Sequence, residues 1–328
     1  MNRTATTYLG LNLKNPIIIG SSPLTASLEK LKKCEDGGAA AVVLKSIFEE
    51  QIETDVKVSL QQSEGYETHV DSADFLEEYS RNFHIDSYLN LVEKAKESLS
   101  IPVIASINCH TEGSWLDYVS RFAEVGADAI ELNYHILPSD FKRPSQELET
   151  EFIHLVKETR ARTALPLSIK IGSHFTALAN IVKQLDDLGV NGLVLFNRFY
   201  QPDIDIEKLA TRASIMLSGS HEYTLPLQWT ALLSAYLNLD ICASTGIHSG
   251  KTLIKMLLSG AKAVQLCSVV MQKGHKVIKE MLDALIDWMD RHENQDFVAF
   301  RGKLAHKRVE DPSQWERTQY MKSLNREF

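Results

Sequence analysis

Apolar positions along the chain gather into eight short, β-branched runs. They are "NPIIIGSS" from 15, "AAAVVLKS" from 39, "IPVIASIN" from 101, "ADAIELN" from 127, "LPLSIKIG" from 165, "NGLVLFN" from 191, "LDICASTG" from 239 and "AKAVQLCS" from 261. Between them the apolar positions recur three and four apart and close on glycine, as in "DYVSRFAEVG" and "TALANIVKQLDDLG", which predicts amphipathic helices with the usual C-terminal cap. Runs apolar on both faces belong to a parallel sheet covered by helices. Eight strand-then-helix units of ordinary size predict an α/β fold of the (β/α)8 TIM-barrel type, a single domain over residues 1–328. A doubly wound Rossmann sheet is the runner-up, weakened because no GxGxxG follows the first strand.

Two segments depart from the repeat. Residues 49–83 are acidic and polar, with Glu49, Glu50, Glu64, Glu67, Asp71, Asp74, Glu77 and Glu78, and are too long for an ordinary βα connection. They read either as a lid over the active face or as a solvated excursion. After the eighth strand, "HKVIKEMLDALIDWMDRH" carries a helical stripe of Ile278, Met281, Leu282, Leu285, Ile286 and Met289, which core packing explains.

Composition narrows the function. The chain has 328 residues, 44% hydrophobic and 24% charged, with a net charge of −8 spread over both signs. No basic run tracks a phosphate backbone, so a small molecule is expected in preference to nucleic acid. No apolar stretch of roughly 18 residues is present for a membrane span, and a soluble, cytoplasmic protein is the expectation. Cys34, Cys109, Cys242 and Cys267 form no CxxC pair and no zinc-like spacing, so neither a disulfide framework nor a metal is expected.

A barrel places its chemistry at the C-terminal ends of its strands. Those ends carry Ser21 and Ser22, Lys45 and Ser46, Asn108, Asn133, Lys170, Asn197, Thr245 and Gly246, and Ser268. A buried ammonium needs an anion or hydrogen-bonding partners, so the two strand-end lysines suggest an anionic or carbonyl-rich ligand. Three asparagines, with donors and acceptors both, suit the edges of a planar heterocycle. "STGIHSGKTLIKMLLSGAKAVQLCS" adds a glycine turn, a helix starting near Ser249 and a hydroxyl after the last strand, a pattern suited to phosphate.

These motifs, in this order along nearly the whole chain, resemble the class 1 dihydroorotate dehydrogenases and related pyrimidine-reducing barrels, which are FMN-dependent. "NPIIIGSS", with Gly20 and Ser21, is similar to their first strand and flavin-contacting turn, and "AAAVVLKS" to their second, with its lysine and serine. The resemblance implies that Asn82, Asn133 and Asn197 contact substrate, Asn133 also meeting the flavin. Lys170 matches the lysine beside N1 and the C2 carbonyl of the flavin. "LSG" at 217–219 resembles a flavin-phosphate segment that includes Gly219, "STGI" and "QLCS" fit the remaining phosphate loops, and "DFVAFRGKL" from Asp296 is similar to a C-terminal signature. Lys45 would serve the other flavin carbonyl or a substrate carboxylate. A homodimer is implied, with fumarate, or NAD through an iron–sulfur partner subunit, as electron acceptor.

The stretch "AIELNYHILP" departs from that pattern. Where the family has a cysteine or serine base after the strand-four asparagine, this chain has Ile136 or Leu137, depending on the register chosen. His135 is the nearest proton acceptor, since an imidazole titrates near neutrality, and Cys109 is the alternative. Arg198 stands where the family has a small hydroxyl residue, and its fork suits a carboxylate. Three readings follow: an FMN-dependent oxidoreductase acting on dihydroorotate or another dihydropyrimidine, a non-catalytic flavin-binding relative, and a Schiff-base lyase using Lys170 or Lys45 on a phosphorylated substrate.

Overall fold

The structure is a computed structural model that describes residues 3–48, 85–108, 115–198, 202–212 and 216–316. The interval 49–83, Asn82 and Cys109 lie outside the described residues.

The strands, in chain order, are β1 (Thr6–Tyr8), β2 (Leu11–Leu13), β3 (Ile17–Ile19), β4 (Ala41–Val43), β5 (Ile47–Phe48), β6 (Val103–Asn108) and β7 (Ala129–Asn133). They continue with β8 (Leu167–Ile171), β9 (Gly192–Leu195), β10 (Asp203–Asp205), β11 (Ala210–Arg212), β12 (Asp240–Ser244) and β13 (Ala263–Leu266). Parallel pairing runs β4-β3-β13-β12-β9-β8-β7-β6 and closes through a β4–β6 pairing, with β5 adding a short extension on β6. The eight predicted runs are therefore the eight staves of a closed (β/α)8 barrel. Closure of the ring excludes the open Rossmann sheet.

Strand alternation splits every stave. Ile17 and Ile19 pack outward into the large helix-facing core, while Ile18 points into the bore, and all three are fully buried. Inward residues form a lower, apolar layer of Ile18, Ala41, Val43, Ile104, Ala129, Val194, Cys242 and Ala263. Counting on by twos from Ile104, Ala129, Cys242 and Ala263 gives an upper, polar layer of Ser106 and Asn108, Glu131 and Asn133, Ser244, and Gln265, and register adds Ser168 and Lys170 opposite Glu131 and Asn133.

The β1–β2 hairpin, which the sequence pattern missed, plugs the lower mouth. Its turn takes positive φ at Leu9 and Gly10, the geometry that two-residue hairpin turns favour. Tyr8, Leu9 and Leu13 join the apolar layer, and Leu9 N–H donates to Asp240 Oδ2 at 2.9 Å. The carboxylate of Asp240 is held in turn by Lys262 at 2.5 Å.

The helices lie outside. Helix Lys276–Arg291 keeps most of its predicted stripe, with Ile278, Met281, Leu285 and Met289 buried, but Ile286 is exposed and Val277 takes its place in the core. Among the described residues no helix is long and apolar enough to cross a membrane.

Candidate active site

Strand register assembles the upper rim. Asn108 pairs across from Asn133, and Asn133 from Lys170, so three inward polar side chains stand in one row over β6, β7 and β8. Asn197, just past β9, donates from Nδ2 to Asn133 Oδ1 at 2.7 Å, and its N–H is held by the Ile171 carbonyl at 2.7 Å. Two amides, one from β7 and one from just past β9, are thus fixed relative to one another, and Lys170 stands on β8 between them.

A polar cavity of about 180 Å³ opens beside this row. Ser21, Lys170, Asn197, Arg198, Thr245, Gly246, Gln265 and Ser268 line it, together with Met216, Ser218, Ser244, Ile247, His248 and Cys267. Gly246 has φ +74, and a Cβ there would stand 2.1 Å from the Tyr223 nitrogen. Only glycine allows this loop to pass so close to the 222–223 backbone. Ser249 caps helix Gly250–Ser259, its Oγ accepting from Thr252 N–H, as the sequence reading expected.

Several predicted site residues sit differently from their expected roles. Lys45 is exposed and lines a separate cavity with Ser27, Phe48, Tyr88 and Leu91, because β4 ends at Val43, two residues before it. The burial argument for an anionic ligand therefore fails for Lys45. It fails in part for Lys170 also, because this buried ammonium has its partners inside the protein. Its Nζ donates to Gln265 Oε1 at 2.9 Å and lies 3.8 Å from Glu131 Oε1.

The "LSG" segment is likewise engaged internally. Gly219 N–H donates to Glu222 Oε1 at 2.6 Å, and Ser218 N–H to Ser268 Oγ at 3.0 Å. Arg198 meets the other Glu222 oxygen at 3.1 Å and also donates to the Met216 carbonyl, so the carboxylate its fork holds is one of the chain's own. Burial tends to raise the Glu222 carboxyl, but the Gly219 N–H and the Arg198 guanidinium outweigh it and hold the group below the usual carboxylate range.

Ser46 belongs to a hydroxyl chain: its Oγ lies 2.9 Å from Ser21 Oγ and 2.7 Å from Ser106 Oγ. Gly20 lies where a Cβ would meet Cys267 Sγ at 2.9 Å and Gln265 Oε1 at 3.0 Å, so the glycine leaves room for both side chains. His135 is half-buried two residues past Asn133 and does not line the Lys170 cavity. The preceding Tyr134 is buried and stacked on Phe152, with ring centroids 4.2 Å apart.

Of the described cysteines, burial raises all three thiols, Cys34 to about 11. They remain protonated near neutrality and offer no thiolate base. Among the described residues no cluster of His, Cys, Asp or Glu could hold a metal.

Sequence reasoning assigned no role to Glu131 or His248, and took Ser218 and Gln265 only as members of the phosphate segments "LSG" and "QLCS". His248 Nε2 lies 3.1 Å from Ser218 Oγ, and burial, aided by the charge of Lys273, keeps the imidazole neutral. The signal for Gln265 and Glu131 was available, because each is a polar residue at an inward position of an apolar strand.

The family model described as "Dihydroorotate dehydrogenase" matches residues 3–289. The chain belongs to the dihydroorotate dehydrogenase family. Within that family it is similar to the dihydroorotate dehydrogenase B (NAD(+)) catalytic subunit of Methanocaldococcus jannaschii, at 27% identity over 317 residues, covering 92% of this chain and 97% of the relative. It is also similar to the NAD-dependent dihydropyrimidine dehydrogenase subunit PreA of Escherichia coli, at 24% identity over 86% of this chain and 72% of the relative. A solved structure of a DHODH from Eimeria tenella in complex with ferulenol matches with a TM-score of 0.65 and 15% identity, over 94% of this chain and 89% of that one. This last likeness speaks for the shared barrel.

Proposed function

We propose that this dihydroorotate dehydrogenase family member is an FMN-dependent oxidoreductase that oxidises dihydroorotate to orotate, or a related dihydropyrimidine to its unsaturated product. One observation carries the reading: Asn133 and Asn197 are bonded to each other at the rim, with Lys170 opposite Asn133 on the neighbouring stave, beside a cavity lined by Lys170, Asn197, Thr245, Gly246 and Ser268.

The donor set fits FMN. An ammonium and side-chain amides match the carbonyl- and nitrogen-edged ring, and the hydroxyl- and glycine-bearing turns after β12 and β13 match a phosphate tail. When bound, FMN supplies two-electron acceptance. The chain's own residues do the rest. Lys170 holds positive charge beside the ring, where reduction deposits negative charge, a preorganised electrostatic role. Asn133 and Asn197, already bonded to each other, fix the orientation of a flat, amide-rich substrate over it. Asn108 and the Ser21–Ser46 pair complete the polar rim, and Lys45 and Asn82 are the further substrate contacts that the resemblance implies. His135 Nδ1 or Nε2 is the acceptor for the carbon-bound proton. The names of the relatives, a catalytic subunit and a subunit PreA, support a second subunit that passes electrons to NAD, while fumarate as the alternative acceptor and a homodimer are what the resemblance implies.

The Schiff-base alternative is disfavoured, because Lys170 is tied to Gln265 and Glu131 and is a poor nucleophile, while Lys45 lines a cavity separate from the Thr245 and Ser268 turns that would hold the phosphate. Purified protein should carry a flavin spectrum or take it up from added FMN, and anaerobic dihydroorotate or another dihydropyrimidine should bleach it. His135→Ala should bind FMN normally yet bleach at least 100-fold more slowly, within the ordinary range for loss of a general base. A chain that stays colourless in excess FMN defeats the proposal. Binding without bleaching by any dihydropyrimidine leaves a flavin-binding, non-catalytic relative.

A further inference from the structure

Beneath the rim, the bore of the barrel contains a fully buried carboxylate. Glu131 is 1% exposed and occupies the inward position of β7 directly below Asn133. The layer under it is apolar and sealed by Tyr8 and Leu9 of the hairpin. Register sets Glu131 opposite Ser168 and Asn133 opposite Lys170, so the lysine stands one layer higher on the neighbouring stave.

The two charges do not touch as a simple pair. Their separation of 3.8 Å is too long for a hydrogen bond, and Glu131 Oε1 has no hydrogen-bond partner among the described residues. The link is Gln265. It reaches in from β13, which stands four staves from β7 in the ring of eight and so on the opposite wall. Its Oε1 accepts from Lys170 Nζ at 2.9 Å, and its Nε2 donates to Glu131 Oε2. With its carbonyl oxygen committed to an ammonium, the amide can offer only N–H to the carboxyl; this bond and the Lys170 charge favour the anion against burial, which pushes the carboxyl up.

Stability does not explain this arrangement. A buried ion pair exchanged for well-packed apolar residues commonly leaves a protein as stable or more so. A carboxylate buried directly above the apolar layer of the bore therefore points to its effect on the site above.

We infer that Glu131, acting through Gln265, is a positioning residue and counter-charge for Lys170: it holds the ammonium at the mouth of the bore and sets how much of its positive charge reaches a ring bound above. The inference rests on the FMN reading for its second half. An anion behind the lysine offsets part of the field that favours a reduced, anionic ring. The site is thereby tuned to a lower potential than Lys170 alone would give.

The test is Glu131→Gln, read by the flavin midpoint potential and by the affinity of sulfite for the oxidised flavin, whose adduct also carries negative charge. With the counter-charge gone, sulfite should bind at least tenfold tighter and the potential should rise by about 30 mV, the two-electron equivalent of tenfold. In a Lys170→Met background the same substitution should shift both far less, because a buried carboxyl that has lost its cation takes up a proton and leaves no charge to remove. A purely structural carboxyl would alter stability and leave both readouts unmoved, which would overturn the inference. Should Glu131→Gln fail to fold, Glu131→Asp retains the charge but draws it back by one methylene. It should then shift sulfite affinity about threefold in the same direction, and no shift would again overturn the inference. A flavin-free arm separates the two halves. In the chain without FMN, Glu131→Gln should speed acylation of Lys170 by an amine-selective reagent several-fold at fixed pH, and an unchanged rate would sink the ion pair itself. If the wild-type chain takes up no FMN, the flavin reading and the tuning role fail together, while the labelling arm still decides the pair.

Discussion

Two lysines with near-identical sequence surroundings have opposite fates. "AVVLK" and "LSIK" both end an apolar run in an ammonium, yet Lys170 lies within β8 and is buried, whereas Lys45 lies two residues beyond β4 and is exposed. Periodicity alone does not say at which residue a strand stops, and that boundary decides which charge must find a partner. The same limit applies at Arg198, where sequence suggests a fork awaiting a substrate carboxylate and the structure gives it Glu222. That carboxyl holds Arg198 and the Gly219 N–H together, and its lowered proton affinity has a stability consequence. A carboxyl with a folded pKa below its unfolded value adds stability that is fully present above the unfolded value, near 4.5, and is lost as pH falls through the lower, folded value. Acid titration of the wild-type melting temperature should therefore show a loss below about pH 4.5 that is smaller in Glu222→Gln. At neutral pH that variant should be less stable by about 1 kcal/mol, modest because the carboxyl is partly solvated.

At the scale of elements, the long repeat was legible and the short devices were not. Eight both-face apolar runs specify eight parallel staves, because a strand such as Ile17–Ile19 can only be satisfied with cover on both sides. The hairpins escaped notice for the opposite reason. Strands of three residues, such as Thr6–Tyr8 and Asp203–Asp205, are too short to show a period. Yet β1–β2 forms the floor on which the polar layer stands. Gly192 is the contact point: a Cβ there would lie 2.4 Å from Leu9 Cδ2 and 3.2 Å from the Tyr8 hydroxyl. Gly192→Ala should push the plug outward and cost about 1–3 kcal/mol, as overpacking does in a filled core. The urea midpoint should fall with an unchanged slope, while FMN uptake at the far end of the bore should stay as in wild type. Loss of FMN uptake together with stability would mean that floor and rim are coupled more tightly than the layered interior suggests.

For the whole molecule, the open issue is what the barrel presents outward. The β10–β11 hairpin, beyond the Asn197 rim, displays Ile204, Ile206 and Leu209 at 66%, 75% and 89% exposure. Three large apolar side chains on one short hairpin are more than scattered surface hydrophobics, and such clusters mark surfaces that are covered in an assembly. The homodimer implied by the family resemblance supplies an occupant of matching chemistry, a second copy of this chain. Sedimentation equilibrium should then report about twice the 36.9 kDa chain mass. Replacing Ile206 and Leu209 together by Asp should shift that mass to the monomer without lowering the helical content, because neither side chain contributes to the buried core. The hairpin begins at Asp203, only six residues after Asn197 in the chain, so dimer loss should also loosen substrate positioning and raise KM more than it lowers kcat. A monomeric wild-type chain, or a double variant that remains dimeric, would move the subunit contact elsewhere and leave the apolar hairpin to a different partner.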